Sequence, residues 1–403
     1  MPEVRYGTAS CGSARSSDPT SHGQFWTNQE AFVHSMSYGG LRLPTRSLMN
    51  MTQQSKGSIA TCSPVASTGE RAAHAQAQMG KPALLKVRDL QVELLRAGKA
   101  TPLVRGVSLE VGRGEILGIV GESGAGKSMT GSAVSGLLES PLRVSGGSIE
   151  LDGLRIDTLP EKRMREIRGK RIGFIFQDPS TSLNPAFTIG RQLIETIQLH
   201  HPLSTVAARE RAVQLLTQVG ITAPEERLDR HAHEFSGGMR QRVVIALALA
   251  GDPELVIADE PTTALDVSVQ AQIMKLLKTL QRARGLSMML ITHDIGVIAE
   301  AADRVVVMYA GRIVETGPTQ ALLEQPIHPY TRGLITSVPQ IGGGLRRLPQ
   351  IEGSMPRPDA IGNGCAFADR CPSVMQKCLS TQPPLLERAG RETACWLCNE
   401  VDR

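Results

Sequence analysis

Short apolar runs alternate with amphipathic stretches along the chain from Leu84 onward. The runs Ile116–Val120 and Leu255–Ala258 have the length of buried strands, and each is followed by turn signals. Apolar residues elsewhere recur at helical spacing, as in the stretch that follows Asp266 and ends at Gly285. Buried strands that alternate with helices predict a parallel α/β core.

The pattern changes in two places. After Asn184 it becomes helical and polar, which predicts a helical subdomain at about 184–250 inside an α/β domain that spans 84–325. Strand signals fade after Ile313, and residues 326–403 carry Pro, Gly and Cys in place of long periodic runs. We expect a small appended module there.

Residues 1–80 hold twelve serines and seven threonines with little apolar periodicity. Such a segment cannot bury a core, so it is predicted to be disordered. Its six basic and four acidic residues make no amphipathic basic helix of the kind found in transit peptides. The alternative is a start codon assigned too early, with Met51 or Met79 as the true first residue.

Composition narrows the class of protein. The chain has 403 residues, a net charge of +5 and 41% hydrophobic residues, which is ordinary globular usage and allows about two or three domains. The apolar stretch Val243–Ala250 is far shorter than the roughly 20 residues that cross a bilayer. Aromatic residues make up 3% of the chain, so a base-stacking surface for nucleic acid is poorly supplied.

A glycine-rich loop carries the first chemical signal. It follows the strand at Ile116–Val120, precedes a helix running towards Leu138, and has the P-loop spacing Gly-x-x-x-x-Gly-Lys-Ser. Its backbone N–H groups curl around the β-phosphate, Lys127 reaches the β- and γ-phosphates, and Ser128 binds Mg²⁺. The predicted nucleotide-binding residues are Gly121, Glu122, Ser123, Gly124, Ala125, Gly126, Lys127 and Ser128.

Two further motifs fit nucleotide hydrolysis. The apolar run LVIADEP ends in Asp259, predicted to bind Mg²⁺ through water, and Glu260, predicted to polarise the attacking water. Ser236 precedes two glycines and is predicted to cap a helix that runs to Ala250 and stops at Gly251. A helix start with two glycines is a possible anion site.

In this order, the motifs resemble those of the nucleotide-binding subunit of an ABC transporter. The resemblance implies that catalysis rests on Glu260, His293 and Gln177, the last in the Q-loop FQDPSTSLNP that also contacts the permease. It implies a Mg²⁺ set of Ser128, Gln177 and Asp259.

The resemblance also implies a dimer. The signature motif, which completes the ATP site of the opposite subunit, corresponds to Ser236, Gly237, Gly238 and Gln241. Asp266 belongs to the matching D-loop, Ala264-Leu265-Asp266. ATP would then bind between two such subunits.

Four sequence segments resemble motifs of the oligopeptide and dipeptide importer branch: FQDPSTSLNP, FSGGMRQRV, HPYTRGL and GCAFADRC. This implies a peripheral ATPase subunit on the cytoplasmic face of the bacterial inner membrane. Its implied partners are a second ATPase subunit, two permease subunits and an extracytoplasmic peptide-binding protein, with no nucleic acid. Nickel or glutathione import is the alternative within this class. An ABC ATPase that acts on nucleic acid or the ribosome is the alternative from another class, which the single P-loop disfavours.

The sequence departs from the family's usual pattern in the residues that would bind the adenine base of ATP. Family members usually stack the base on an aromatic residue upstream of the P-loop, but residues 82–120 contain no Phe, Tyr or Trp. Either Leu94 or a neighbour packs the base by apolar contact, or the base is held elsewhere.

Five cysteines lie near the C-terminus. Some relatives bind a [4Fe–4S] cluster in this region, which implies Cys365, Cys371, Cys378 and Cys395 as ligands. A zinc site in which Cys398 replaces Cys365 is an alternative, and so are free thiols.

Overall fold

The computed structural model describes residues 83–263, 265–338, 350–388 and 390–399. The predicted disordered leader and both alternative start residues lie outside these ranges, as does Ala264 of the predicted D-loop. Within the described ranges, no helix combines the length and the apolar character needed to cross a membrane.

A four-stranded antiparallel sheet forms from the first part of the chain. Its strands, in spatial order, are β2 (Lys99–Gly112), β1 (Ala83–Arg96), β4 (Leu142–Leu151) and β5 (Leu154–Arg155). Buried and exposed positions alternate along much of β1, which places one face of this sheet on the apolar core.

The second sheet has eight strands and is parallel at its centre. Its spatial order is β11 (Leu386–Arg388), β12 (Arg391–Thr393), β10 (Arg312–Pro318), β9 (Arg304–Tyr309), β3 (Ile116–Val120), β8 (Ser287–Thr292), β7 (Leu255–Asp259) and β6 (Ile172–Ile175). Strand β3 runs parallel to both β8 and β9, and every residue of β3, β7 and β8 is buried. The predicted parallel α/β core is confirmed.

Helices lie between the strands along the chain, and several of them pack against the parallel strands. They are α1 (Lys127–Ser135), α2 (Glu161–Ile167), α3 (Pro179–Ser182), α4 (Ile189–His200), α5 (Thr205–Gln218), α6 (Pro224–Arg227), α7 (Gly237–Ala248), α8 (Val267–Arg284), α9 (Ile295–Ala301), α10 (Thr319–Glu324), α11 (Pro329–Thr336), α12 (Gln376–Ser380) and α13 (Trp396–Asn399). As predicted, α8 ends at Gly285, which takes the left-handed conformation. Helix α7 stops at Ala248, slightly before the predicted Ala250, with Leu249 as its C-cap.

The C-terminal region is joined to the core rather than simply appended. Strand β12 pairs antiparallel with β10, with Thr393 opposite Glu315. Three aromatic rings, of Tyr309, Tyr330 and Phe367, pack edge to face or tilted with centroids 4.6 to 5.4 Å apart. These contacts fix the region against the α/β core. The sequence does not predict β11 and β12 because strands of three residues are too short to show periodicity.

Candidate nucleotide-binding site

The P-loop connects the end of β3 to the start of α1. Gly126, with φ of 97°, lies just before α1, and this left-handed conformation favours glycine. At Gly121 a Cβ atom would lie 2.2 Å from the backbone oxygen of Met308, so no side chain fits there. The close approach of strand and loop therefore requires these two predicted glycines.

Lys127 is buried inside the P-loop, with 4% of its surface exposed. Its Nζ donates hydrogen bonds to the backbone oxygens of Gly121 at 2.8 Å and Glu122 at 3.1 Å. Burial lowers the pKa of Lys127 because it desolvates the ammonium group. An anionic phosphate compensates a buried ammonium better than neutral carbonyl groups do, so the site favours polyphosphate.

Ser128 and Asp259 meet beside the loop. The Ser128 hydroxyl donates to Oδ1 of Asp259 at 2.9 Å. Burial raises the pKa of Asp259, which means that its carboxylate is poorly solvated. A hydroxyl and a buried carboxylate are oxygen donors suited to Mg²⁺, and a cation at this point would offset the cost of burying the charge.

The three predicted catalytic side chains come together at Glu260. The Glu260 carboxylate accepts a hydrogen bond from Nε2 of Gln177 at 3.0 Å, and Nδ1 of His293 lies 3.3 Å from its other oxygen. Thr263, which the sequence analysis missed, donates its hydroxyl to the same carboxylate at 2.8 Å. Thr263 is three positions after Glu260, and a hydroxyl so near a predicted catalytic carboxylate is the signal that could have identified it.

The backbone at Glu260 is strained. Its φ of 47° is left-handed, which is uncommon for a residue with a side chain, and its N–H donates to the backbone oxygen of Ile291 at 2.8 Å. Such strain persists where surrounding contacts impose it, often at functional sites. The turn after β7 thus aims the carboxylate at Gln177 and His293.

The predicted signature motif begins α7. The Ser236 hydroxyl accepts from the N–H of Met239 at 3.4 Å, and Ser236 and Gly237 are exposed. At Gly238 a Cβ would lie 2.6 Å from a methyl group of Val269, so glycine is needed for the close packing of α7 and α8. The exposed helix start is available to a partner molecule.

Gln241 differs from the other signature residues. It lies one turn further along α7, and only 1% of its surface is exposed. Its side chain is turned into the core, so the structure does not support the predicted contact between Gln241 and a partner's nucleotide.

Asp266 caps α8. Its Oδ1 accepts from the N–H of Val269 at 2.9 Å and from the Ser268 hydroxyl at 2.6 Å. These bonds, above all the one from Ser268, lower the pKa of Asp266. Asp266 of the predicted D-loop is therefore charged and exposed at the start of a helix, where its charge is favourable.

Two residues of the C-terminal region hold Glu122 of the P-loop. The Arg370 guanidinium donates to both carboxylate oxygens of Glu122, at 2.8 and 3.0 Å, and the Tyr330 hydroxyl accepts from the Glu122 N–H at 2.8 Å. Arg370 also donates to the backbone oxygen of Glu352 at 2.8 Å. The sequence analysis used HPYTRGL and GCAFADRC only as branch markers and missed this role of Tyr330 and Arg370.

Four cysteines line one small cavity: Cys365, Cys371, Cys378 and Cys395. The cavity measures about 10 Å³, room for about one water molecule. Burial raises the pKa of Cys365 to about 11, whereas a hydrogen bond with Cys398 lowers the pKa of Cys395 to about 7. Among the described residues, no three Cys, His, Asp or Glu side chains are placed to hold a metal ion. As placed, the thiols do not fit a four-iron cluster or a zinc ion.

Comparisons with known proteins agree with this site. The ABC transporter profile matches residues 104–263, and the profile described as the C-terminal region of oligopeptide/dipeptide transporters matches residues 314–378. The chain is 46% identical to the oligopeptide transport ATP-binding protein AppD of Bacillus subtilis, over 79% of this chain and 97% of AppD. It is 49% identical to the probable peptide ABC transporter ATP-binding protein y4tR of Sinorhizobium fredii, over 79% of this chain and 96% of y4tR.

Solved structures give the same fold. The ATP-binding cassette MJ0796, solved as a dimer in a post-hydrolysis state with ADP and phosphate, matches with a TM-score of 0.53 and 27% identity. The match covers 58% of this chain and 98% of the cassette. The chain belongs to the ABC transporter family and carries the C-terminal region of its oligopeptide/dipeptide branch.

Proposed function

We propose that this chain is the ATP-hydrolysing subunit of a peptide importer, bound peripherally to the cytoplasmic face of a bacterial inner membrane. The observation that carries the proposal is that Gln177 and His293 both contact the Glu260 carboxylate. Glu260 directly follows Asp259, which accepts a hydrogen bond from Ser128 of the P-loop. The peptide assignment has its support in the relatives, which are named for oligopeptide and peptide transport.

Each residue has a distinct task in the proposed reaction. Lys127 and the loop amides bind the β- and γ-phosphates, and Glu260 accepts a proton from the water that attacks the γ-phosphorus. His293 contacts the γ-phosphate, and its ring also orients the Glu260 carboxylate. Ser128, Asp259 and Gln177 would hold Mg²⁺, which neutralises phosphate charge when bound.

The site works in a dimer. Ser236 and Gly237 are exposed at the start of α7, where free N–H groups favour an anion. In the proposed dimer they bind the γ-phosphate of ATP held by a second ATPase subunit, either a copy of this chain or a related one. The dimeric MJ0796 cassette supports this arrangement.

Coupling to transport starts at Gln177. Its neighbour Phe176 is 46% exposed, so its ring is available for contact with a permease. A change in the Gln177–Glu260 hydrogen bond would then link hydrolysis to the permeases. Peptide, nickel chelate and glutathione are alternative cargoes, and the peptide-named relatives favour the first.

Paired variants test the ATPase assignment. Glu260→Gln should keep ATP affinity, trap a closed dimer and lower phosphate release at least about 100-fold, because it removes the general base. Lys127→Ala should weaken ATP binding itself. The exposed helical substitution Glu195→Gln is the matched control for Glu260→Gln and should leave turnover unchanged. Normal turnover by Glu260→Gln would refute the assignment.

The transport assignment needs the partners. We expect two polytopic permeases and a second ATPase to co-purify with the chain from detergent-solubilised membranes, identified by mass spectrometry. Peptide added with its binding protein should then stimulate ATP hydrolysis in the reconstituted complex. Recovery of ribosomes or DNA instead would favour the nucleic-acid class.

An iron–sulfur cluster at the four cysteines stays a prediction. Their shared cavity supports it, whereas the small volume of that cavity opposes it. Anaerobic purification followed by an iron assay tests it. A colourless, iron-free and fully folded protein would contradict the cluster.

A further inference from the structure

An apolar cavity of about 190 Å³ lies directly beside the P-loop. Gly124, Gly126 and Met129, the residue after Ser128, form one side of it. Leu103 of β2 contributes a second wall. Any ligand whose phosphates lie on the P-loop amides would have its next chemical group at this opening.

The remaining wall comes from the C-terminal region. Pro356, Pro358 and Ile361 are among the residues that line the cavity. The guanidinium of Arg105, on β2, donates to the backbone oxygen of Pro358 at 3.2 Å, which ties this segment to the core. Met355 lies close to the loop too, since a Cβ built on Gly124 would be 3.7 Å from its sulfur.

The segment is also held by the contacts of Glu122. Arg370 bonds the Glu122 carboxylate and, at the same time, the backbone oxygen of Glu352, a few residues before the cavity wall. The Arg370 side chain thus connects the P-loop to the segment that includes Pro356, Pro358 and Ile361. These contacts hold the lining of the cavity in place.

We propose that this cavity binds the adenine base of ATP, so that the C-terminal region supplies one wall of the base site. The assignment rests on the proposed ATPase function and deepens it. An apolar cavity of roughly 150 Å³ accepts a benzene-sized ring, and the larger space here suits a purine. Leu94, the upstream candidate, is not among the residues that line it.

The lining explains how the base is held without an aromatic partner. Three prolines and the side chains of Leu103, Met129 and Ile361 are among the residues that line the cavity, and dispersion contacts with a flat base need no π-system on the protein. The absence of aromatic residues upstream of the P-loop is then compensated by Pro356, Pro358 and Ile361, which lie far away in the sequence.

Matched isoleucine variants of the full chain test this proposal. Ile361→Ala shortens the cavity wall, whereas Ile351→Ala makes the same change in the same region at a side chain that does not line the cavity. Titration calorimetry measures the binding of Mg-ATP and of Mg-tripolyphosphate, which has no base, to each variant. We expect Ile361→Ala to weaken ATP binding about tenfold and to leave tripolyphosphate binding unchanged. Ile351→Ala should change neither.

The outcomes separate this proposal from the proposed function. If wild-type protein binds neither ligand, the ATPase assignment itself is wrong. If it binds both, but Ile361→Ala retains wild-type ATP affinity or loses both ligands equally, the base site is wrong and the ATPase assignment stands. Pro356→Ala changes another residue of the cavity lining and is titrated with the same two ligands. It provides the test if the Ile361→Ala protein folds poorly.

Discussion

Removing Arg370 from its ion pair with Glu122 should destabilise the protein far more than breaking a surface pair of the same geometry. The perturbation is Arg370→Met, which keeps much of the aliphatic volume and removes the guanidinium. The Arg370 side chain is 7% exposed and that of Glu122 28% exposed. The substitution leaves the Glu122 carboxylate poorly solvated and without its bidentate partner.

The expected cost follows from this burial. Removing one member of a buried ion pair costs about 3 to 5 kcal/mol, because the other charge stays behind uncompensated. Glu122 keeps some contact with water, so we expect the lower end, about 3 kcal/mol. Loss of the hydrogen bond from Arg370 to the backbone oxygen of Glu352 acts in the same direction.

A second bidentate pair provides the control. Arg209 donates to both oxygens of Asp229, at 3.1 and 3.0 Å, but the two side chains are 44% and 70% exposed. Arg209→Met should therefore cost less than about 1 kcal/mol. The assay is urea unfolding of the full chain at neutral pH, followed by tryptophan fluorescence and by circular dichroism.

A double-mutant cycle completes the test. Glu122→Gln removes the second charge, and its combination with Arg370→Met should show a coupling free energy of about 2 kcal/mol. If Arg370→Met and Arg209→Met destabilise the protein equally, the tie between the C-terminal region and the P-loop does not stabilise the fold.

Two further predictions concern the nucleotide site. Asp259→Asn should raise the unfolding free energy of the nucleotide-free protein at pH 7 by about 1 kcal/mol while suppressing hydrolysis. Burial raises the pKa of Asp259, so the charged carboxylate costs stability above that pKa, and the cost disappears as the pH falls to the ordinary value near 3.8. Urea unfolding at several pH values measures the difference in unfolding free energy between Asp259→Asn and wild type. A difference that did not decrease on acidification would contradict this prediction. The apolar lining of the base cavity offers no side-chain hydrogen bond to distinguish purines, so kcat/KM for GTP should lie within about tenfold of that for ATP in a phosphate-release assay. A preference of several thousandfold for ATP would contradict it.

Local patterns predicted the parts of the molecule that local forces determine. The strand at Ile116–Val120 has the predicted bounds, and the helix that ends at Gly285 stops where glycine can take the left-handed conformation. The spacing of the P-loop motif identified Lys127 and Ser128, because phosphate binding requires these residue types close together in the sequence.

Long-range contacts were not predictable in this way. Arg370 and Glu122 are 248 positions apart, and nothing in either local sequence indicates that they meet. The burial of Gln241 was missed for a related reason, since only tertiary packing decides which side of α7 faces the core. Strand β12 is too short for a periodic signal, so its pairing with β10 depends on the folded context.

The pairing of β12 with β10 has a consequence for shortened forms of the protein. Strand β10 is buried along nearly its whole length and includes Ile313 and Val314. A polypeptide that stopped after α11 would lack β12 and leave the outer edge of β10 without its partner at Glu315 and Thr316. Such an edge is a template for pairing with another chain, so truncation to the ATPase core should promote aggregation.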